Sequence, residues 1–126
     1  MRIWILDAEY QQLPGHLPIT HCVVGRELRT GQCIVWRADQ PSDGSPFQFG
    51  PKDLLVAYAA AAEGNCFLAL GWEAPPHVLD LHAAYSKHIN AHRPGIQTSL
   101  LSALEHFGIP HLSVEDKERF RGLAIR

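Results

Sequence analysis

The sequence predicts an α/β fold in which helices cover a mixed sheet, on three observations. Short β-rich runs fill residues 3 to 36, helical patterns fill residues 81 to 123, and between them a strand-like run passes directly into an alanine-rich helix. At 126 residues the chain forms one domain, long enough to bury a single core. Apolar residues make up 46% and charged residues 19%, the composition of an ordinary soluble globular protein. The formal net charge is −2 and no basic stripe dominates, which excludes a large electrostatic surface for duplex nucleic acid. The small clusters Arg26 with Arg29 and Arg119 with Arg121 could meet a few phosphates or simply form solvated faces.

The first element, Ile3-Trp4-Ile5-Leu6, is β-branched, aromatic and aliphatic, and reads as a short strand buried on both faces. It runs into Asp7-Ala8-Glu9. Side chains alternate along a strand, so Asp7 and Glu9 share a face, about 6.6 Å apart along the backbone at ~3.3 Å per residue. Two acids on one face at the end of a buried strand are costly without a cation between them. A hard divalent ion such as Mg²⁺ or Mn²⁺, which takes carboxylate oxygens, would answer that cost. Taken alone, an Asp-x-Glu is read as a turn cap at Asp7 beside a solvated Glu9, so the rest of the chain must decide.

After Tyr10, Pro14, Gly15 and Pro18 forbid a long regular element. Ile19 to Leu28 is a second strand, Arg29-Thr30-Gly31-Gln32 a turn, and Cys33 to Trp36 a third strand, making an antiparallel hairpin. Residues 38 to 52 form a loop with Phe47 and Phe49 as anchors. Leu54 to Tyr58 returns to strand character, and Ala59 to Leu70 suits a helix that Gly64 weakens and Gly71 stops. Val78 to Leu81 is a last strand, with a helix from about Leu81 to Ile89 and a break at Arg93-Pro94-Gly95. Thr98 or Ser99 caps an amphipathic helix with Leu100, Leu101, Leu104 and Phe107 on one face, ended by Gly108 and Pro110. Ser113 opens a final charged helix, Val114 to Leu123.

Cys22, Cys33 and Cys66 lack the spacing of a zinc site or a disulfide framework and read as reduced core thiols of a cytoplasmic protein. There is no basic segment leading into an apolar run and no window of about 18 apolar residues, so neither a signal peptide nor a membrane span is expected. Trp4 is a core residue; Trp36 and Trp72 pack on strand and helix.

Together, the strand ending Asp7-Ala8-Glu9, the antiparallel hairpin, the strand entering a helix that carries Glu63, and Val78-Leu79-Asp80-Leu81 resemble the ribonuclease-H-like 3′-to-5′ exonuclease domain of the four-carboxylate (DEDD) type. The nearest likeness is the proofreading domain found with bacterial and phage family A DNA polymerases. Asp7 and Glu9 match the family's first motif, and Glu63 falls at the acidic position of its second, in Ala57-Tyr58-Ala59-Ala60-Ala61-Ala62-Glu63. Leu79-Asp80 resembles the stretch that opens the next helix, and Ser99 to Leu104 with Phe107-Gly108-Ile109 resembles the helix beneath the site. Ala60 replaces the usual asparagine, and the second acid is glutamate rather than aspartate. The third motif, a Tyr or His before an Asp on a final helix, has no counterpart before Arg126, as expected of a fragment of a polymerase or of a short form lacking one ligand and a general base.

The resemblance implies phosphodiester hydrolysis from the 3′ end of single-stranded DNA or RNA, using two Mg²⁺ or Mn²⁺ ions. It assigns Asp7 as the bridging ligand, Glu9 to the nucleophile-side ion and Glu63 to the second, with Asp80 as a reserve ligand or else a strand-end cap. Tyr10 and Tyr58 either stack a terminal base or pack in the core. A partner chain or polymerase domain could complete the site. The contrasting reading is a catalytically inactive exonuclease fold serving as a nucleic-acid-binding or protein-interaction module. A zinc reading rests on His88 and His92, four residues apart on one helix; no Glu follows His88 and no third ligand stands out. His106 and His111 flank a helix end and need no ligand role.

Overall fold

A computed structural model describes residues 1–40, 44–92, 97–113 and 115–119, with the backbone alone for Ala91 and His92. Five strands, β1 (Ile3–Gln11), β2 (Ile19–Glu27), β3 (Cys33–Arg37), β4 (Leu54–Ala57) and β5 (His77–Asp80), form one sheet in the order β3-β2-β1-β4-β5. The helices are α1 (Ala60–Leu70), α2 (Leu81–His92) and α3 (Leu100–His106). β1 is antiparallel to β2 and β2 to β3, whereas β4 runs parallel to β1 and β5 parallel to β4. The fold is therefore α/β, a mixed sheet with an antiparallel hairpin and flanking helices, compatible with a ribonuclease-H-like arrangement. Among the described residues no helix is long and apolar enough to cross a membrane.

β1 is buried on one face, not on both as its apolar run predicts. Trp4, Leu6 and Ala8 are enclosed by α1 and the loop that follows β3, whereas Ile5 is 42% exposed. On that open face Asp7 stands in one cross-strand row with the exposed Val24 and Val35. Alternation along the strand thus puts the hydrophobic half of β1 inward and both carboxylates outward.

Phe47 and Phe49 anchor their loop as expected. Phe47 meets Trp4 edge-on at 5.8 Å, and Phe49 lies 6.2 Å from Phe67 of α1. The seat of Phe47 requires glycine at position 25, where a Cβ would fall 2.3 Å from Phe47 Cε1 and 2.5 Å from Leu6 Cδ2. Trp36 and Trp72 pack edge to face at 5.0 Å.

At the hairpin, Gly31 takes φ +76, the left-handed turn conformation that glycine adopts without strain. Glu27, just before the turn, is 1% exposed, and sequence patterning does not single it out. Its carboxylate accepts the N–H groups of Ile3 (2.9 Å), Arg29 (3.0 Å) and Thr30 (2.9 Å). Those bonds, that from Ile3 foremost, outweigh burial and hold its pKa down at about 2. Asp53 does the same for the loop before β4, accepting the Gly50 and Arg2 N–H groups and pairing with the Arg2 guanidinium at 3.0 Å.

Cys66 is fully buried and Cys22 half-buried, but Cys33 is exposed. It lies on β3, the edge strand, paired with Arg26 on the open face, so it is not the core residue that its small apolar character predicts.

The helices start where their caps place them. Ser99 Oγ accepts the Ser102 N–H at 3.2 Å, and Ser113 Oγ accepts that of Asp116 at 3.1 Å. Of the expected last helix only 115–119 is described, and it is helical; Val114, Arg121 and Leu123 lie outside the described residues, as does the break at 93–95. The expected apolar face of α3 is not a core face. Ala103 packs on Tyr85 and Ile89 of α2, while Leu100 (39% exposed) and Phe107 (58%) border an apolar groove of about 330 Å³ with Tyr58, Tyr85 and His88.

Candidate functional site

β1 continues through both carboxylates, and its register shifts between Glu9 and Tyr10. Asp7 pairs with Val24 and Glu9 with Cys22, so the two acids share the open face as alternation requires. The parallel neighbour β4 ends at Ala57, and the chain turns through Tyr58 and Ala59 into α1. Glu63 falls in the first turn of α1. Strand ends and helix start thereby meet around an open cavity of about 520 Å³, lined by Asp7, Glu9 and Glu63 together with Tyr10, Tyr58, His82 and Lys117. The three acids that the motifs single out come to one place from two elements some 55 residues apart in sequence.

Glu63 is the most constrained of them. Its side chain is 4% exposed, and Oε2 is buried with no hydrogen-bond partner. Burial is the main reason that its pKa is pushed up to about 7, with the Asp7 charge adding to the rise and the N–H groups of Glu63 and Ala8 opposing it. Burial against the cavity wall also raises the Asp7 carboxyl, although that residue keeps an accessible edge; the Lys117 charge and the Ala8 N–H pull the other way. A buried carboxyl oxygen without a donor is destabilising unless a proton or a cation meets it.

Asp80 is a cap. Oδ1 accepts the N–H groups of Ala59 (3.1 Å), His82 (2.9 Å) and Ala83 (3.3 Å), and Oδ2 that of Ala60 (3.1 Å). Burial raises its pKa, but the four N–H bonds together bring it below the usual carboxylate value. Asp80 thus starts both α1 and α2 and is not among the residues lining the cavity.

That cap is needed because α1 has none of its own. Ala59 precedes the helix at φ 65 and ψ 63, left-handed, with no side chain to accept a hydrogen bond. Left-handed backbone costs an L-residue roughly 1–2 kcal/mol; glycine relieves that strain but gives part of the gain back through the greater entropy of its unfolded chain. Ala59→Gly is therefore expected to stabilise the fold by about 0.5–1 kcal/mol in urea unfolding; a loss of stability would show that the Ala59 methyl makes contacts worth more than the strain.

His82 and Lys117 are absent from the motif reading. His82 is the second residue of α2, with Nε2 3.1 Å from Thr98 Oγ1 and its ring edge-on to Tyr58. The Tyr58 hydroxyl donates to the Thr98 carbonyl. No local spacing could reveal these two residues, because the return of α2 and of residues 115–119 to the end of β1 is a tertiary event. Of the rival zinc pair, the His92 side chain lies outside the described residues, and His88 packs its ring near those of His106 and Phe107.

Among the described residues no three His, Cys, Asp or Glu side chains stand together at ligating distance. The carboxylates of Asp7, Glu9 and Glu63 that line the cavity offer hard oxygen donors, which suit Mg²⁺ or Mn²⁺ rather than a softer metal, and Glu63 Oε2 is buried without a hydrogen-bond partner. Compared with protein-family models, curated proteins and solved structures, the chain matches none.

Proposed function

We propose that this chain is a divalent-metal-dependent 3′-5′ exonuclease that hydrolyses phosphodiester bonds at the 3′ end of single-stranded nucleic acid. The observation that carries the reading is the unpartnered, buried Oε2 of Glu63 at a cavity shared with Asp7 and Glu9. The motif resemblance supports it, as does a strand order compatible with the ribonuclease-H-like arrangement. Asp7, Glu9 and Glu63 would hold the metal, which when bound supplies an activated water and stabilises charge on the phosphate. Tyr10 and Tyr58 border the same cavity and offer aromatic faces on which a terminal base can stack. His82, fixed by Thr98, is within the same wall and can exchange a proton with a bound water or leaving group. As a proofreading-type domain the chain would act beside a polymerase domain or partner chain, and its three free thiols suit the cytoplasm.

The test is degradation of 5′-labelled single-stranded DNA and RNA in Mn²⁺ and in EDTA, with Asp7→Ala alongside. A metal-dependent ladder shortening from the 3′ end is expected, with Asp7→Ala slowed at least about a hundredfold, more than the loss of a residue that merely orients a ligand. A second reading, an inactive binding module, is favoured by the apolar groove, which shares Tyr58 and Leu100 with the cavity. Oligonucleotide binding that ignores metal and survives Asp7→Ala, without cleavage, would select it.

A further inference from the structure

The sheet face that α1 leaves open begins at the carboxylates and extends beyond them. Register places three cross-strand rows on it: Ile5, Arg26 and Cys33; Asp7, Val24 and Val35; Glu9, Cys22 and Arg37. Every member of the first two rows is exposed, and so is Arg37. One continuous surface therefore joins the acid cavity to the outer edge of β3, aliphatic at its centre and with a guanidinium in each outer row. The Cys22 thiol senses both ends of its row. Burial foremost, then the charges of Glu9 and Asp7, raise its pKa, while a backbone bond to Glu9 and the Arg37 charge lower it.

Strands lie about 4.8 Å apart and alternate residues about 6.6 Å apart, so three rows on three strands span roughly 10 by 13 Å between Cα atoms. A stable protein partner buries about 800 Å² on each side. The surface is several times too small for that and suits one narrow, extended chain. Its guanidiniums favour a polyanion, because a planar guanidinium grips phosphate through paired N–H groups and stacks on a flat ring. Arg37 already holds an anionic group, Asp39 at 3.2 Å, in a pair whose side chains are 57% and 67% exposed. A pair so exposed is weak, and its guanidinium can turn to a phosphate. Two arginines answer a few phosphates of a single strand rather than the dense charge of a duplex.

Resting on the reading of the cavity as the seat of a nucleic-acid 3′ end, we propose that the open face of β1, β2 and β3 is the track of the substrate strand. The 3′ end enters at Asp7, and the nucleotides behind it cross β2 to the edge of β3. Arg26 and Arg37 meet their phosphates, and Ile5, Val24 and Val35 cover sugars and bases.

Cys33 stands on this track and reports on it. With Cys22→Ser as the background and Cys66 fully buried, Cys33 is the accessible thiol. A short single-stranded oligothymidylate, in EDTA to stop metal-dependent cleavage, is expected to slow its alkylation by iodoacetamide at least about threefold at saturation. Fluorescence anisotropy with the same strand, across a salt series, gives the second measurement. Arg26→Ala and Arg37→Ala should each weaken binding about three- to tenfold and lower the salt slope by about 0.7, the share of one phosphate contact on a single strand. Val35→Glu should weaken binding at least about tenfold, whereas Lys52→Ala, on the loop before β4, should change it less than about twofold. All four side chains are exposed, so the variants should fold, and thermal melts check that they do. Binding that leaves Cys33 unprotected and ignores both arginines would overturn the track while leaving the cavity reading intact. Protection by an extended acidic peptide and not by the oligonucleotide would also overturn it, in favour of a protein segment. No binding of the strand would overturn it outright. Protection and arginine dependence without cleavage in Mn²⁺ would support the track and remove the exonuclease.

Discussion

In metal-free buffer at about pH 8, Glu63→Gln is expected to unfold at a higher temperature than the wild type, and Mn²⁺ is expected to reverse that order. In the folded chain Glu63 ionises at about 7, against 4.5 for an unperturbed glutamate. Below pH 4.5 both states hold the proton and the residue makes no difference. Between pH 4.5 and 7 the unfolded chain releases its proton and the folded chain does not, so stability falls as pH rises and the loss is complete above the folded pKa. Discounted for solvent screening at an open cavity, the loss is about 2 kcal/mol, or roughly 5–10 °C in Tm for a domain of this size. Glutamine cannot ionise, so its variant escapes the loss.

Metal inverts the comparison because an ion that binds only the folded state stabilises it by mass action, about 2.7 kcal/mol at a hundredfold excess over Kd. The wild type should take that gain; Glu63→Gln and Asp7→Ala should not. Melting curves at about pH 5 and pH 8, with EDTA or millimolar Mn²⁺, check each part. A Glu63→Gln variant that melts below the wild type at pH 8 in EDTA would mean that the carboxylate has a partner in the folded chain. An equal Mn²⁺ response in Asp7→Ala would mean that the ion binds elsewhere.

The parts of this site that were legible in the sequence are those set by local geometry. Asp7 and Glu9 share a face because strand periodicity is two, and the observed register keeps that parity. Glu63 could be placed because the apolar run Leu54–Ala57 leads through only two residues into an alanine-rich helix. The Gly31 turn and the Phe47 anchor followed from single residues with few alternatives. What stayed hidden depends on which face of each element receives cover. The run Ile3 to Leu6 carries no sign of its one open side, which follows from the placement of α1 and the Phe47 loop on the other. Cys33 is exposed because β3 is an edge strand, a property of the sheet order and not of the residue. Lys117 could be read only as part of a charged helix, since its approach to Asp7 spans nearly the whole chain. Asp80 lay between the two cases, and its four N–H partners decide for the cap.

The same division between the two faces of β1 gives the largest stability effect expected, at Trp4. The indole is 1% exposed and packs edge-on against Phe47, so Trp4→Ala should cost about 3–5 kcal/mol in urea unfolding. Trp4→Phe should cost much less than its lost volume suggests. Trp4 Nε1 is buried with no acceptor, and removing an unpaired donor recovers about 1–3 kcal/mol against the area given up. A net change within about 1.5 kcal/mol is expected for phenylalanine, and a loss as large as that for alanine would show that the indole N–H has a partner, such as a buried water. Trp4 lies three residues from Asp7 on the opposite face of the strand, so neither variant touches the carboxylates directly. Trp4→Phe should therefore bind Mn²⁺ as the wild type does, and Trp4→Ala should do so wherever it remains folded. The inward face of β1 would then govern whether the strand is held in place, and the outward face what it binds.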